Sequence, residues 1–143
     1  MPYASRPTVG VLCRRQFDRT GGLIVAVAWT VERGVPFTPS PILVGDELYM
    51  VSDIGVLSCL DARTGATVWQ ARLPGNYSAS PVFADGRLYF QSEEGMTSVI
   101  EPGKAFRKLA TSMLDGAMLA TLAVSNGSIF IRTDTHLYRI AQK

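Results

Sequence analysis

One histidine, two cysteines and one pair of adjacent glutamates are the side chains whose types first suggest chemistry in this 143-residue sequence. His136 follows Asp134 and Thr135. An imidazole acts as a general base only when an acid orients it and a nucleophile lies within hydrogen-bond reach. No GxSxG motif supplies that serine, so His136 reads as a solvated or edge-strand residue. Glu93 and Glu94 are neighbours in a turn-like stretch. Glycosidic acid–base work needs carboxylates opposed across a cleft, so this pair reads as a solvated corner. Gly21-Gly22 lack the lysine of a phosphate-binding loop. Cys13 and Cys59 sit in no CxxC or CxxH context. Buried thiols and a structural disulfide both fit them, whereas a zinc site needs more ligands than they and one histidine offer. Asn76-Tyr77-Ser78 and Asn126-Gly127-Ser128 fit the glycosylation pattern, which matches this short produce by accident. The residues therefore assign no catalytic, cofactor-binding or metal site.

Composition bounds the remaining classes. Apolar residues make up 47% and charged residues 18%, the balance of a folded chain with a real core. A net charge of +2 is too slight to point to nucleic acid or an anionic membrane. The longest apolar run, Leu23 to Trp29, is too short to span a bilayer. Arg14, Arg15 and Arg19 precede it, and Ala26-Val27-Ala28 has the small residues of a signal-peptide cleavage site. Asp18 and the direct continuation into repeat-like sequence favour a buried strand over a signal peptide.

The elements that position these residues come from internal repetition. Ser40-Pro41-Ile42-Leu43-Val44-Gly45-Asp46-Glu47-Leu48-Tyr49 recurs forty residues later as Ser80-Pro81-Val82-Phe83-Ala84-Asp85-Gly86-Arg87-Leu88-Tyr89. A weaker copy, Thr121 to Phe130, begins one residue late. In the second unit Asp85-Gly86 is a two-residue hairpin turn that favours positive φ. Arg87 to Ser92 alternates as a half-buried strand does. Glu93-Glu94-Gly95 turns the chain, Met96 to Ile100 is a third strand, and Ala105 to Ala110 a fourth. The first unit repeats the plan with Glu47 to Ser52, Val56 to Leu60 and Ala66 to Ala71 as its second to fourth strands. The third unit stops after two or three strands, near Leu137 to Ile140, and Val25 to Val31 reads as the last strand of a preceding unit, with Trp29 answering Trp69. A short helix is conceivable only within 105–119. Four strands per forty residues is the arithmetic of a propeller blade, so the expected fold is all-β, a partial β-propeller of two to three four-stranded antiparallel blades. The blades span approximately 40–79, 80–120 and 121–143, within a repeat region 27–143. Residues 1–26 match nothing in the pattern and read as a divergent segment, disordered or wrongly started.

Leu60-Asp61-Ala62-Arg63-Thr64-Gly65-Ala66-Thr67-Val68-Trp69 resembles the blade signature of the PQQ-like β-propeller repeat family of bacterial proteins. In that signature an aspartate and a Thr-Gly turn precede a tryptophan four residues after the glycine. The resemblance implies that Asp61 and Thr64 bond turn amides, that Gly65 takes a glycine-only conformation, and that Trp69 lies between blades with its N–H on a carbonyl. In the second unit Glu101-Pro102-Gly103-Lys104 replaces that turn and Leu109 stands near the tryptophan position, so regular docking is not expected there. Quinone-binding relatives use vicinal cysteines, a calcium site and a catalytic aspartate. This sequence has no vicinal cysteines, and no motif carries the other residues over.

The expectation is a non-catalytic propeller module that binds a protein partner or further blades of its own ring. It requires no cofactor and contacts no nucleic acid. Exposed blade faces would favour self-association, and the resemblance implies an extracytoplasmic full-length protein. A fragment of a quinoprotein dehydrogenase and the sensor domain of a signalling protein are the rivals. Asp53-Ile54-Gly55, Glu93-Glu94-Gly95 and Thr133-Asp134-Thr135 should cluster on one rim near Asn76-Tyr77-Ser78, a mildly acidic surface where a ligand would bind.

Overall fold

A computed structural model describes residues 9–12, 16–17, 20, 23–24 and 27–141. Every regular element among them is a strand. In the first repeat, β1 (Val9–Leu12), β2 (Gln16–Phe17), β3 (Leu23–Ile24) and β4 (Val27–Val31) precede β5 (Ile42–Val44), β6 (Glu47–Val51), β7 (Val56–Asp61) and β8 (Thr67–Arg72). The second repeat forms β9 (Val82–Ala84), β10 (Arg87–Gln91), β11 (Met96–Glu101) and β12 (Arg107–Met113). The third forms β13 (Ala123–Ser125), β14 (Ser128–Arg132) and β15 (Leu137–Ala141). Each repeat is one antiparallel meander, ordered β5-β6-β7-β8, β9-β10-β11-β12 and β13-β14-β15. The fold is a partial β-propeller.

The span 105–119 holds no helix. It contributes β12, whose pairing with β11 begins at Glu101–Arg107. The intervening turn carries Pro102, which cannot donate to a ladder, and the fourth strand runs over Arg107–Met113 rather than the expected 105–110. Before the repeats, β1 pairs antiparallel with β4 and β2 with β3. Strand pairing thus extends into the segment expected to lie outside the pattern. Cys13 lies outside the described residues.

The first hairpin turns have the backbone their residues favour. Asp85 and Gly86 have φ of 48° and 69°, and Asn126 and Gly127 have 48° and 68°, positive at both central residues as the tightest hairpin requires.

Alternation along the strands sorts side chains onto two faces, and the blades stack face to face. Tyr49, Val51, Leu57 and Cys59 from the first blade bury themselves with Leu88, Phe90 and Ile100 from the second, and Trp69 packs against this cluster. On the opposite face, Met50, Leu60 and Val35 pack with Trp29 and Val31. A third cluster joins Met118, Leu122 and Ile131 to Val82 and Tyr89. The apolar surface is therefore hidden between sheets, as repeat architectures hide it.

Candidate functional site

The turn that ends β7 is built as its residues imply. Asp61 Oδ1 accepts hydrogen bonds from Arg63 N (3.0 Å), Thr64 N (2.9 Å) and Thr64 Oγ1 (2.9 Å). These bonds, the backbone one from Thr64 foremost, hold the Asp61 carboxyl below its ordinary pKa. Gly65 has φ of 74°, and a Cβ there would fall 2.5 Å from the Trp29 ring. The Trp29 Nε1 donates to Ala62 O at 3.0 Å. One junction later, Trp69 Nε1 donates to Gly103 O at 2.8 Å, while Gly103 N donates to Tyr49 Oη at 2.7 Å. Phe106 meets Trp69 edge-on at 5.3 Å. The degenerate turn at 101–104 thus also accepts a tryptophan N–H on a carbonyl, and Gly103 is held through both its carbonyl and its N–H. Burial pushes the Tyr49 phenol up to about 12, with the Gly103 bond opposing it, and the neighbouring Cys59 thiol up to about 11. Cys59 is a buried free thiol.

The opposite end of the blades forms the rim on which the three second-hairpin turns sit. Each turn opens with a buried hydroxyl: Ser52, Ser92 and Thr133 accept from Val56 N, Met96 N and His136 N at 3.0, 3.3 and 3.0 Å. An acid follows each, and each acid holds the linker entering its blade. Asp53 accepts from Phe37 N (2.6 Å) and Thr38 N (3.2 Å). Glu94 accepts from Asn76 N (3.0 Å) and Asn76 Nδ2 (3.0 Å), and Asp134 accepts from Ala117 N (3.1 Å). Main-chain bonds tie the departing linker to the same turns: Leu73 N to Gly55 O, Tyr77 N to Asp53 O, Leu114 N to Gly95 O and Met118 N to Glu93 O. A Cβ at Gly55 or Gly95 would sit 2.3 or 2.2 Å from Leu73 O or Leu114 O, so neither linker could lie so close to any other residue.

Glu93 and Glu94 are consequently not a free solvated corner. Glu93 accepts from Ser78 Oγ. Partial burial acts to raise the pKa of Glu94, and the bonds it accepts outweigh this and leave it lowered. Sequence reasoning gathered the three turns and Asn76 but missed that the acids serve linker amides. The signal was available as a hydroxyl followed by an acid at each repeat, Ser52-Asp53, Ser92-Glu93-Glu94 and Thr133-Asp134.

His136 is exposed, its Nδ1 2.8 Å from Thr135 Oγ1 and its ring 5.5 Å from that of Tyr138. Neither partner could orient a base toward a nucleophile. Among the described residues no three His, Cys, Asp or Glu side chains are grouped to hold a metal ion. Among the described residues the rim carboxylates of Asp53, Glu94 and Asp134 accept hydrogen bonds from linker amides, and Cys59 is buried beside Tyr49, so these groups do not offer the donor set of a quinone with its calcium. No helix is long and apolar enough to cross a membrane among the described residues.

The PQQ-like repeat family described as "Outer membrane protein assembly factor BamB" matches residues 15–108. The chain belongs to that family. It is 31% identical over 114 residues to the outer membrane protein assembly factor BamB of Burkholderia pseudomallei (strain K96243), covering 78% of this chain and 29% of the relative. The crystal structure of BamB from Moraxella catarrhalis superposes with a TM-score of 0.68 at 21% identity, over 80% of this chain and 36% of that one. A europium-containing methanol dehydrogenase shares the fold at a TM-score of 0.55 and 12% identity, over 64% of this chain and 20% of that chain. The chain therefore spans about a third or less of each relative's length.

Proposed function

We propose that this chain is a non-catalytic propeller module that holds a protein partner against its linker rim, in the extracytoplasmic space where its relatives' names place outer-membrane assembly. The observation that carries this is the apolar surface raised on a stapled rim. Phe37, Ile54 and Leu119 are 76%, 58% and 62% exposed. Phe37 N is itself held by Asp53, the residue preceding Ile54. Large apolar side chains on a rigid base are costly to leave in water and mark contact sites. The family name supports a partner within an assembly machine, and the spent carboxylates argue against a small cationic ligand.

A photo-crosslinking residue at Ile54, introduced in the parent bacterium, is expected to capture an envelope protein. The same probe at Arg87, beside the hairpin turn at the other end of the blades, should not. Equal capture at both positions, or none at Ile54, would remove the reading. Addition of quinone and calcium should give no dye-linked alcohol or sugar oxidation. Such turnover would identify a dehydrogenase fragment instead.

A further inference from the structure

The sequence holds two asparagines, Asn76 and Asn126, and the fold treats them in opposite ways. Asn76 is clamped. Its Nδ2 donates to Glu94 Oε1 at 3.0 Å, and the amide that follows it, Tyr77 N, donates to Asp53 O at 2.8 Å. Asn126 is exposed at the tip of the β13–β14 hairpin, just beyond the last ladder pair, Ser125 with Ser128. Among the described residues neither its side chain nor the amide that follows it, Gly127 N, makes a hydrogen bond. A Cβ at Gly127 would meet nothing within 4 Å, so the approach to its nitrogen is open. This openness belongs to the turn. Asp85-Gly86 holds the same place in the four-stranded second blade, where the Asp85 side chain is 91% exposed and a Cβ at Gly86 would also meet nothing within 4 Å.

From this contrast we infer that Asn126 is a site of spontaneous covalent modification, converted through a cyclic imide to aspartate and isoaspartate with water as the only co-reactant. The Gly127 nitrogen gives its proton to hydroxide and attacks Asn126 Cγ. A C–N bond forms, the Cγ–Nδ2 bond breaks, and Nδ2 leaves as ammonia with a proton taken from water. Water then adds to one of the two ring carbonyls. Cleavage at Cγ leaves aspartate, and cleavage of the original peptide bond leaves isoaspartate, whose main chain runs through Cγ. Nothing is oxidised or reduced: an amide and water become an acid and ammonia. Glycine suits the step because no side chain shields its nitrogen, and asparagine is among the thermolabile residues for this kind of reason. The two products differ in what they do to the blade. Aspartate recreates the pair the second blade already uses, since Asp85 and Asn126 share a φ of 48° and Gly86 and Gly127 have 69° and 68°. Isoaspartate adds a main-chain carbon to a turn built for two residues, and so loosens the pairing of Ser125 with Ser128. The site lies at the end of the blades away from the linker rim and stands independently of the partner reading.

The test holds the whole chain in mildly alkaline buffer and follows its peptides by mass spectrometry, with isoaspartyl methyltransferase and a labelled methyl donor to mark isoaspartate. Circular dichroism of the same samples shows that the chain stays folded. The amide-to-acid mass gain is expected at Asn126 more than about tenfold faster than at Asn76, whose amide must first leave the Glu94 carboxylate. The rate should rise with hydroxide concentration, and the methyl label should appear in the Asn126 peptide. Asn126→Asp should abolish the mass gain in that peptide and melt at the midpoint of the parent chain, as Asp85 implies. An unconverted Asn126, equal rates at the two asparagines, or aspartate formed without isoaspartate would overturn the assignment, the last because it means direct hydrolysis without the ring.

Discussion

Trp69 and Tyr49 together fix where the second blade sits, because Trp69 donates to the carbonyl of Gly103 and Tyr49 accepts from its N–H. Trp69→Ala removes a large ring from a junction with Tyr49 and Phe106 as well as the indole donor. It should cost about 3–5 kcal/mol in chemical denaturation. A loss below about 1 kcal/mol would show that the ring does not dock the blades. Gln91 gives the opposite sign. Its Oε1 is buried without a hydrogen-bond partner, a place where Val51 puts no polar atom in the first blade. Gln91→Leu should raise stability by about 1 kcal/mol, read as a midpoint about 2–4 °C higher in thermal melts; a lower midpoint would contradict the assigned burial. Both side chains were visible in the sequence to different degrees. The tryptophan and its Asp-Thr-Gly turn could be read because their spacing carries the geometry. The burial of Gln91 could not, because a glutamine at the end of an alternating strand looks solvent-facing until the linker crossing above it is known.

At the scale of elements, carboxylates close turns, as Asp61 does, and tie turns to linkers, as Glu94 does. Asp61 and Glu94 both have lowered pKa values in the folded state. Their contribution is therefore present above the ordinary carboxylate pKa of about 4 and is lost as pH falls through the lowered folded values. Thermal midpoints measured from pH 7 down to 2.5 should fall across that acid window, and the fall should be shallower in the Asp61→Asn, Glu94→Gln double variant. Identical slopes would mean that the carboxylates hold nothing. Alkali acts through other groups. Tyr49 and Tyr77 are raised to about 12 and Cys59 to about 11, burial being the main cause. The unfolded chain ionises first, so stability should decline as pH rises past about 9–10 toward those values. The strands and hairpins were legible in the sequence from alternation and the Asp-Gly and Asn-Gly pairs. The bounds of β12 were not, since its residues are exposed throughout and no alternation of buried and exposed positions marks where the strand begins.

Across the whole molecule, sheets hide their apolar faces against each other, and the two ends of the stack have different chemistry. Phe106, Leu109 and Met113 stay 40%, 42% and 64% exposed along the outer strand of the second blade, and Ile140 is 44% exposed on the third. This much apolar surface should make the chain associate as concentration rises in sedimentation velocity, with little dependence on salt. A single monomeric boundary over a hundredfold concentration range would count against it. The repeat also sets a hydroxyl ladder through the stack: Ser40 N donates to Ser80 Oγ at 2.9 Å, and Ser80 N donates to Thr121 Oγ1 at 3.0 Å. Those residues open the three sequence repeats, so a spacing of forty along the chain becomes one hydrogen bond across space. The most direct measurement is a set of nuclear Overhauser contacts from the amide protons of Ser40 and Ser80. Side-by-side blades predict strong cross-peaks to the β protons of Ser80 and Thr121, respectively. Their absence, with the strands within each blade still paired, would contradict the stacking on which the rim depends.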